Sequence, residues 1–235
     1  MDQVIQNIRA ALIANADERT KISGERFFKE EVNLYGIKTA VVIKLAKEHF
    51  KLLPNKDKST VFGYCEQLFK SGVMEESFVA CNWSCNMLKQ YQPADFGIFE
   101  RWVTNYVGNW ATCDTLCNHT VGAIVEMYPE LISGLRNWAH SENRWVKRAS
   151  AVSLIIPARN GLFLDEIFGI ADILLADRDD MVQKGYGWML KAASQAHLNE
   201  VFGYVMKNKA AMPRTSLRYA IEKMPSDMKA AAMKK

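Results

Sequence analysis

Trp110 and Asp114 stand four residues apart, so on a helix an indole and a carboxylate share one face, one turn from each other. Arg148 follows Trp110 by 38 residues and Trp188 lies 40 further on. A fixed carboxylate beside electron-rich indole faces suits a centre where positive charge develops. Each residue also has a plainer reading. An aspartate is most often a helix cap or first-turn acid, and a tryptophan is most often core. Other chemistry lacks its residues. The chain has neither a Gly-rich phosphate loop of the Walker or dinucleotide type nor a Gly-x-Ser-x-Gly elbow. His49, His119, His140 and His197 are scattered without ligand spacing. Cys81/Cys85 and Cys113/Cys117 are i, i+4 pairs, wider than the usual turn-borne zinc spacing, so buried core thiols are expected and no metal is assigned.

The elements that carry these residues read as helices throughout. Val61, Tyr64, Cys65, Leu68 and Phe69 form an i, i+3, i+4, i+7, i+8 stripe. Ile37, Val41, Val42, Leu45 and Phe50 are expected on one helical face, as are Phe163, Ile167, Ile170, Ile173 and Leu174. No sustained alternation of period two is present. Breaks fall at Gly36, Pro54-Asn55, Gly72, Gln92-Pro93, Pro129, Asn160-Gly161 and Met212-Pro213. They predict about a dozen helices of roughly 10 to 18 residues.

A shape recurs at Phe78–Trp83, Trp145–Ser150 and Met181–Tyr186, the last two copies 36 residues apart. Helical pairs repeating near 40 residues predict an all-α, HEAT-like solenoid of paired antiparallel helices around a concave groove. It is expected to run as a single domain over residues 1–235. In such a stack, Trp110, Asp114, Arg148 and Trp188, spaced by about one repeat, converge on the groove. A plain helical bundle is the alternative.

Length and composition fit one array. The chain has 235 residues, 49% of them hydrophobic and 24% charged, which excludes a disordered chain. No stretch approaches the ~18 apolar residues of a membrane span. Residues 1–9 lack the pattern of a secretory signal, and the odd count of five cysteines fits reduced thiols, so a cytoplasmic location is expected. The net charge of +4 conceals segregation. Six lysines between Lys38 and Lys58 face Glu48 and Asp57. Four basic residues between Arg136 and Arg148 face Glu142. Nine between Lys191 and Lys235 face Glu200, Glu222 and Asp227. Such segments build a polyanion-binding face or solvated helix surfaces.

Four segments, Trp110-Ala111-Thr112-Cys113-Asp114, Pro129-Glu130-Leu131-Ile132-Ser133, Arg144-Trp145-Val146-Lys147-Arg148-Ala149 and Lys184-Gly185-Tyr186-Gly187-Trp188, resemble the AlkD family of DNA alkylation repair glycosylases. Gly36-Ile37-Lys38-Thr39 and Ser216-Leu217-Arg218-Tyr219-Ala220-Ile221 resemble it too, and the set covers nearly the whole chain. The resemblance implies a HEAT-like solenoid, monomeric and without cofactor, holding duplex DNA that carries alkylated bases. It assigns Asp114 as the catalytic aspartate, Trp110 and Trp188 as the tryptophans flanking the lesion, and Arg148 as the cleft arginine. It places Lys38, Thr39, Lys147, Ser216 and Arg218 at the DNA. The chain departs from the family pattern at Asn109, where a second tryptophan is usual, and at Ala111, where an acid is usual.

The implied reaction is hydrolysis of the N-glycosidic bond of a cationic purine of the 3-methyladenine or 7-methylguanine type, a step of base excision repair. The charged base leaves readily, so the need is to stabilise an oxocarbenium-like sugar and orient water, which one carboxylate can do. The resemblance also admits a non-catalytic relative that binds branched or damaged DNA. The repeat architecture by itself admits a protein-interaction scaffold.

Overall fold

A computed structural model describes residues 3–234; Met1, Asp2 and Lys235, which bear on the N-terminal reading and the last basic segment, lie outside the described residues. Helices account for the fold. Among the described residues there is no β-strand, only one isolated bridge between Asn33 and Val73. Among the described residues the α-helices run from five to fourteen residues: those up to Tyr106 have the predicted lengths, while those of five to nine residues lie between Trp110 and Arg159 and from Arg214 onward. Two breaks, at Ala14–Ala16 and Val107–Asn109, are not among those predicted. The predicted breaks fall between α-helices, with Pro129 opening a 3-10 turn at Pro129–Leu131. The chain groups into two compact units, residues 1–116 and 117–235.

The first unit holds α1 (Gln3–Ile13), α2 (Glu18–Phe27), α3 (Thr39–Lys51), α4 (Lys58–Phe69), α5 (Met74–Cys85), α6 (Asp95–Tyr106) and α7 (Trp110–Leu116). Its core is aromatic. Phe62, Phe69, Phe99 and Trp102 meet with ring centroids 5.2–5.7 Å apart. Trp83 is fully buried and donates its indole N–H to the Ala46 carbonyl at 2.8 Å. The stripe predicted for α4 is buried at every position. The face predicted for α3 is rotated: Ile37 lies before the helix, and Val42 and Ala46 are its buried residues. α2 is unlike the others, because none of its residues is buried.

The second unit opens with a π turn, Cys117–Val121, and continues through α8 (Gly122–Met127), α9 (Ile132–Trp138), α10 (Arg144–Val152), α11 (Ile155–Arg159), α12 (Leu164–Leu174), α13 (Asp180–Ala193), α14 (Leu198–Asn208), α15 (Arg214–Ala220) and α16 (Ser226–Met233). α13 is its hub and packs on α10, α11, α12 and α15. The recurrence seen in the sequence has a structural counterpart here. Asn143 caps α10 through the N–H of Trp145, and Asp179 caps α13 through the N–H groups of Met181 and Val182. Both copies therefore start two residues after a side-chain cap, the placement that satisfies otherwise orphaned N–H groups. The first copy, Phe78–Trp83, begins a turn inside α5 and lacks this register.

Candidate functional site

In the first unit, Asn109 accepts a hydrogen bond from the Thr112 N–H and so starts α7 at Trp110. Asp114 is then a mid-helix residue one turn from Trp110 and not a cap. Both side chains are half-buried. Phe28 stacks on Trp110, centroids 5.4 Å apart and planes 24° apart, and Phe27 meets the same indole edge-on at 5.8 Å. Stacked and edge-on aromatic pairs of this kind hold ring orientation as well as contribute stability. Trp110 is therefore a supported ring at the margin of the core.

Phe27 also lines an open cavity of about 480 Å³ with Arg19, Ser23, Lys38 and Thr39. Lys38 and Thr39 are exposed at the start of α3. Their placement depends on a carboxylate that the sequence reading passed over. Glu75, 2% exposed, accepts the backbone N–H groups of Tyr35, Gly36 and Ile37 at 3.1, 2.9 and 3.0 Å. Its neighbour Glu76 pairs with Arg9 at 2.9 Å and accepts the Tyr35 hydroxyl at 2.6 Å, and burial, chiefly, together with this bond pushes the Tyr35 hydroxyl pKa well up. Gly36 completes the turn at φ 87°, with a Cβ position only 2.5 Å from the Asp17 carbonyl oxygen, so no other residue fits. The Asp17 carboxyl caps α2 and lies below its ordinary range, through hydrogen bonds from Thr20 first and the field of Lys38 last.

In the second unit, Arg148 is buried and donates Nη1–H to the Met181 carbonyl. Its aliphatic stem lies against Gly185 of α13, where a Cβ would come within 3.2 Å. Trp188 is half-buried on the same helix, so α10 and α13 bring Arg148 and Trp188 onto packed elements. Lys147 is bound to Asp177 at 2.6 Å. Gly187 admits α15, since a Cβ there would lie 2.8 Å from the Ser216 carbonyl oxygen. Ser216, which the resemblance places at the DNA, is held inside the protein. It is fully buried, its Oγ lies 2.5 Å from the Tyr186 hydroxyl, and it donates to the Pro213 carbonyl. Burial, first, holds the Tyr186 hydroxyl up at about 12. Arg218 is exposed.

Ser216→Ala is accordingly expected to act on stability and not on DNA affinity. Removing one partner of a buried hydrogen bond costs about 1–3 kcal/mol, read by urea denaturation, while a DNA titration of the folded variant stays unchanged. Cys65, Cys81, Cys113 and Cys117 are buried as expected of core thiols, and Cys85 is half-buried. Burial pushes the thiols of Cys65 and Cys81 up. No group of three or more candidate metal ligands occurs among the described residues, and no described helix is long and apolar enough to cross a membrane.

These elements define an all-α helical-repeat protein. A family model described as DNA alkylation repair enzyme matches residues 8–224, so the chain belongs to that family. It is similar in structure to a protein described as a predicted DNA alkylation repair enzyme from Enterococcus faecalis, with 14% identity and a TM-score of 0.79 over 90% of this chain and 98% of that one. At that identity the likeness shows the fold. Among curated proteins none matches the sequence.

Proposed function

We propose that the protein is a HEAT-like DNA glycosylase that releases cationic alkylated purines, of the 3-methyladenine or 7-methylguanine type, from duplex DNA in base excision repair. The observation that carries this is α7, where a ring-supported indole and a carboxylate stand one turn apart at the margin of the core. Asp114 faces the charge that grows on the deoxyribose as the glycosidic bond breaks, and it orients the attacking water. Trp110, fixed by Phe28, offers its remaining surface to the sugar, and Trp188 is the second indole. Arg148 supplies a fixed positive charge oriented by the Met181 carbonyl. Lys38, Thr39 and Arg218 take phosphates, which positions the strand without reading sequence. Lys147 and Ser216 are held in internal contacts and serve the packing.

The test is incubation with methylated duplex DNA followed by analysis of the released bases. A second reading, DNA binding without excision, is favoured by the burial of Arg148, which limits its hold on a backbone. Tight binding to branched DNA with no base released selects that reading.

Duplex binding is expected to weaken linearly in a plot of log affinity against log salt, because phosphate contacts release counterions. Lys38→Glu lowers affinity for all sequences alike and flattens the slope by about one or more. Anisotropy titrations at several salt concentrations on two unrelated duplexes read both effects, and a loss confined to one sequence contradicts the phosphate role.

A further inference from the structure

Residues 33–38 approach α3 without helical structure, and the first turn of α5 holds them. The Asn33 carbonyl accepts the Met74 N–H at 3.0 Å. Glu75 takes the rest: one carboxylate oxygen accepts the N–H groups of Gly36 and Ile37, and the other accepts that of Tyr35. Glu75 is 2% exposed, so it cannot itself reach a strand, and its charge is met by these donors and by the N-terminus of α5. Lys38 follows directly. Its carbonyl accepts the N–H groups of Val41 and Val42 at 2.8 and 3.2 Å, the opening bonds of α3. The backbone of Lys38 is therefore fixed on both sides, by a carboxylate before it and a helix after it, while its side chain is exposed. A lysine on a fixed stem has less freedom to lose on meeting a phosphate than one on a loose loop.

We propose that Glu75 is a positioning residue for DNA: it touches no nucleotide, and it raises affinity by fixing the backbone that presents Lys38. The proposal rests on the reading of Lys38 as a phosphate contact given above. Glu75 has two effects on such a contact, and they differ in sign. As a negative charge it repels a polyanion, so removing it raises affinity. As an anchor it holds the stem of Lys38, so removing it lowers affinity. Three N–H groups and a helix N-terminus oppose the field of the carboxylate, so the anchoring effect is the larger. A buried acid whose loss weakens binding to a polyanion is the mark of this role, since charge alone gives the reverse.

The experiment is an anisotropy titration of one unmodified duplex at several salt concentrations with four full-length proteins: unmodified, Glu75→Gln, Lys38→Ala and the double variant. Glu75→Gln keeps the side-chain volume but sets an amide NH2 where one carboxylate oxygen accepted, so at least one N–H of the segment loses its partner. It is expected to bind at least about threefold more weakly despite the lost negative charge, the share of one exposed ionic contact. Its salt slope flattens by up to about one. In the Lys38→Ala background the same substitution has little further effect, because the contact it supports is already gone. Circular dichroism at the titration temperature confirms that all four are folded. For Glu75→Ala, formate is expected to restore part of the affinity relative to chloride at equal ionic strength, by entering the three-N–H concavity left open. Unchanged or raised affinity of Glu75→Gln overturns the proposal, as does a loss of equal size with and without Lys38. Unchanged affinity of Lys38→Ala overturns the phosphate reading of that lysine and the proposal with it, so the two failures are told apart.

Discussion

Asp114→Asn is expected to fold and to bind duplex DNA as the unmodified protein does, yet to release 7-methylguanine or 3-methyladenine about 10²–10³ times more slowly. The substitution keeps the shape of a half-buried, mid-helix side chain and removes its charge. Losing one electrostatic group aimed at transition-state charge typically costs that factor. The affected state is the oxocarbenium-like sugar, which exists only as the bond breaks, so the loss appears in the single-turnover rate and not in the binding curve. Neutral lesions are expected to be poor substrates even for the unmodified protein, since their base leaves without the help of a positive charge. Single-turnover excision beside a binding titration reads both, and equal excision by the variant removes Asp114 from its assigned role.

Glu75→Ala carries the largest expected effect on stability. It orphans the N–H groups of Tyr35, Gly36 and Ile37, the last two of them in buried hydrogen bonds. A buried donor left unmade costs about 1–3 kcal/mol, so three amount to several kcal/mol. For a chain of this size about 2–4 °C is lost per kcal/mol, and the melting temperature is expected to fall by about 10 °C or more. Glu75→Gln keeps one acceptor oxygen and falls less. Scanning calorimetry of the two variants checks the ordering; an alanine variant that melts with the unmodified protein shows that water replaces the carboxylate.

How much of this was legible in the sequence depends on how far apart the interacting residues lie. Helical character was plain because stripes such as Val61–Phe69 repeat over more than two turns. The short α7 to α11 region was not resolved, because five to nine residues carry too little periodicity to fix a boundary. On α3 the stripe was placed on Ile37, which the Gly36 turn leaves outside the helix. The spacing of Trp110 and Asp114 was readable, being local. Phe27 and Phe28 were not, since their contact with Trp110 joins residues more than 80 positions apart. Glu75 and Glu76 sit in the first turn of α5, where acids are common for the helix dipole alone. Nothing local distinguishes those acids from a pair that clamps a loop. Ser216 shows the reverse limit: a resemblance fixes position along the chain, and burial decides what the hydroxyl does.

α2 contributes no buried side chain, and it is attached through the Asp17–Gly36 backbone hydrogen bond, the approach of Gly24 to Leu34 and the edge-on contact of Phe27 with Trp110. Little apolar area is lost when it detaches, so its free energy of opening lies near the bottom of the range for this fold, far below that of α4 or α13. Its amides are expected to exchange with deuterium by sub-global opening while those of α13 wait for complete unfolding. α2 is therefore the segment most open to ordering by a ligand, and protection of its amides on adding DNA is the expected sign of such coupling.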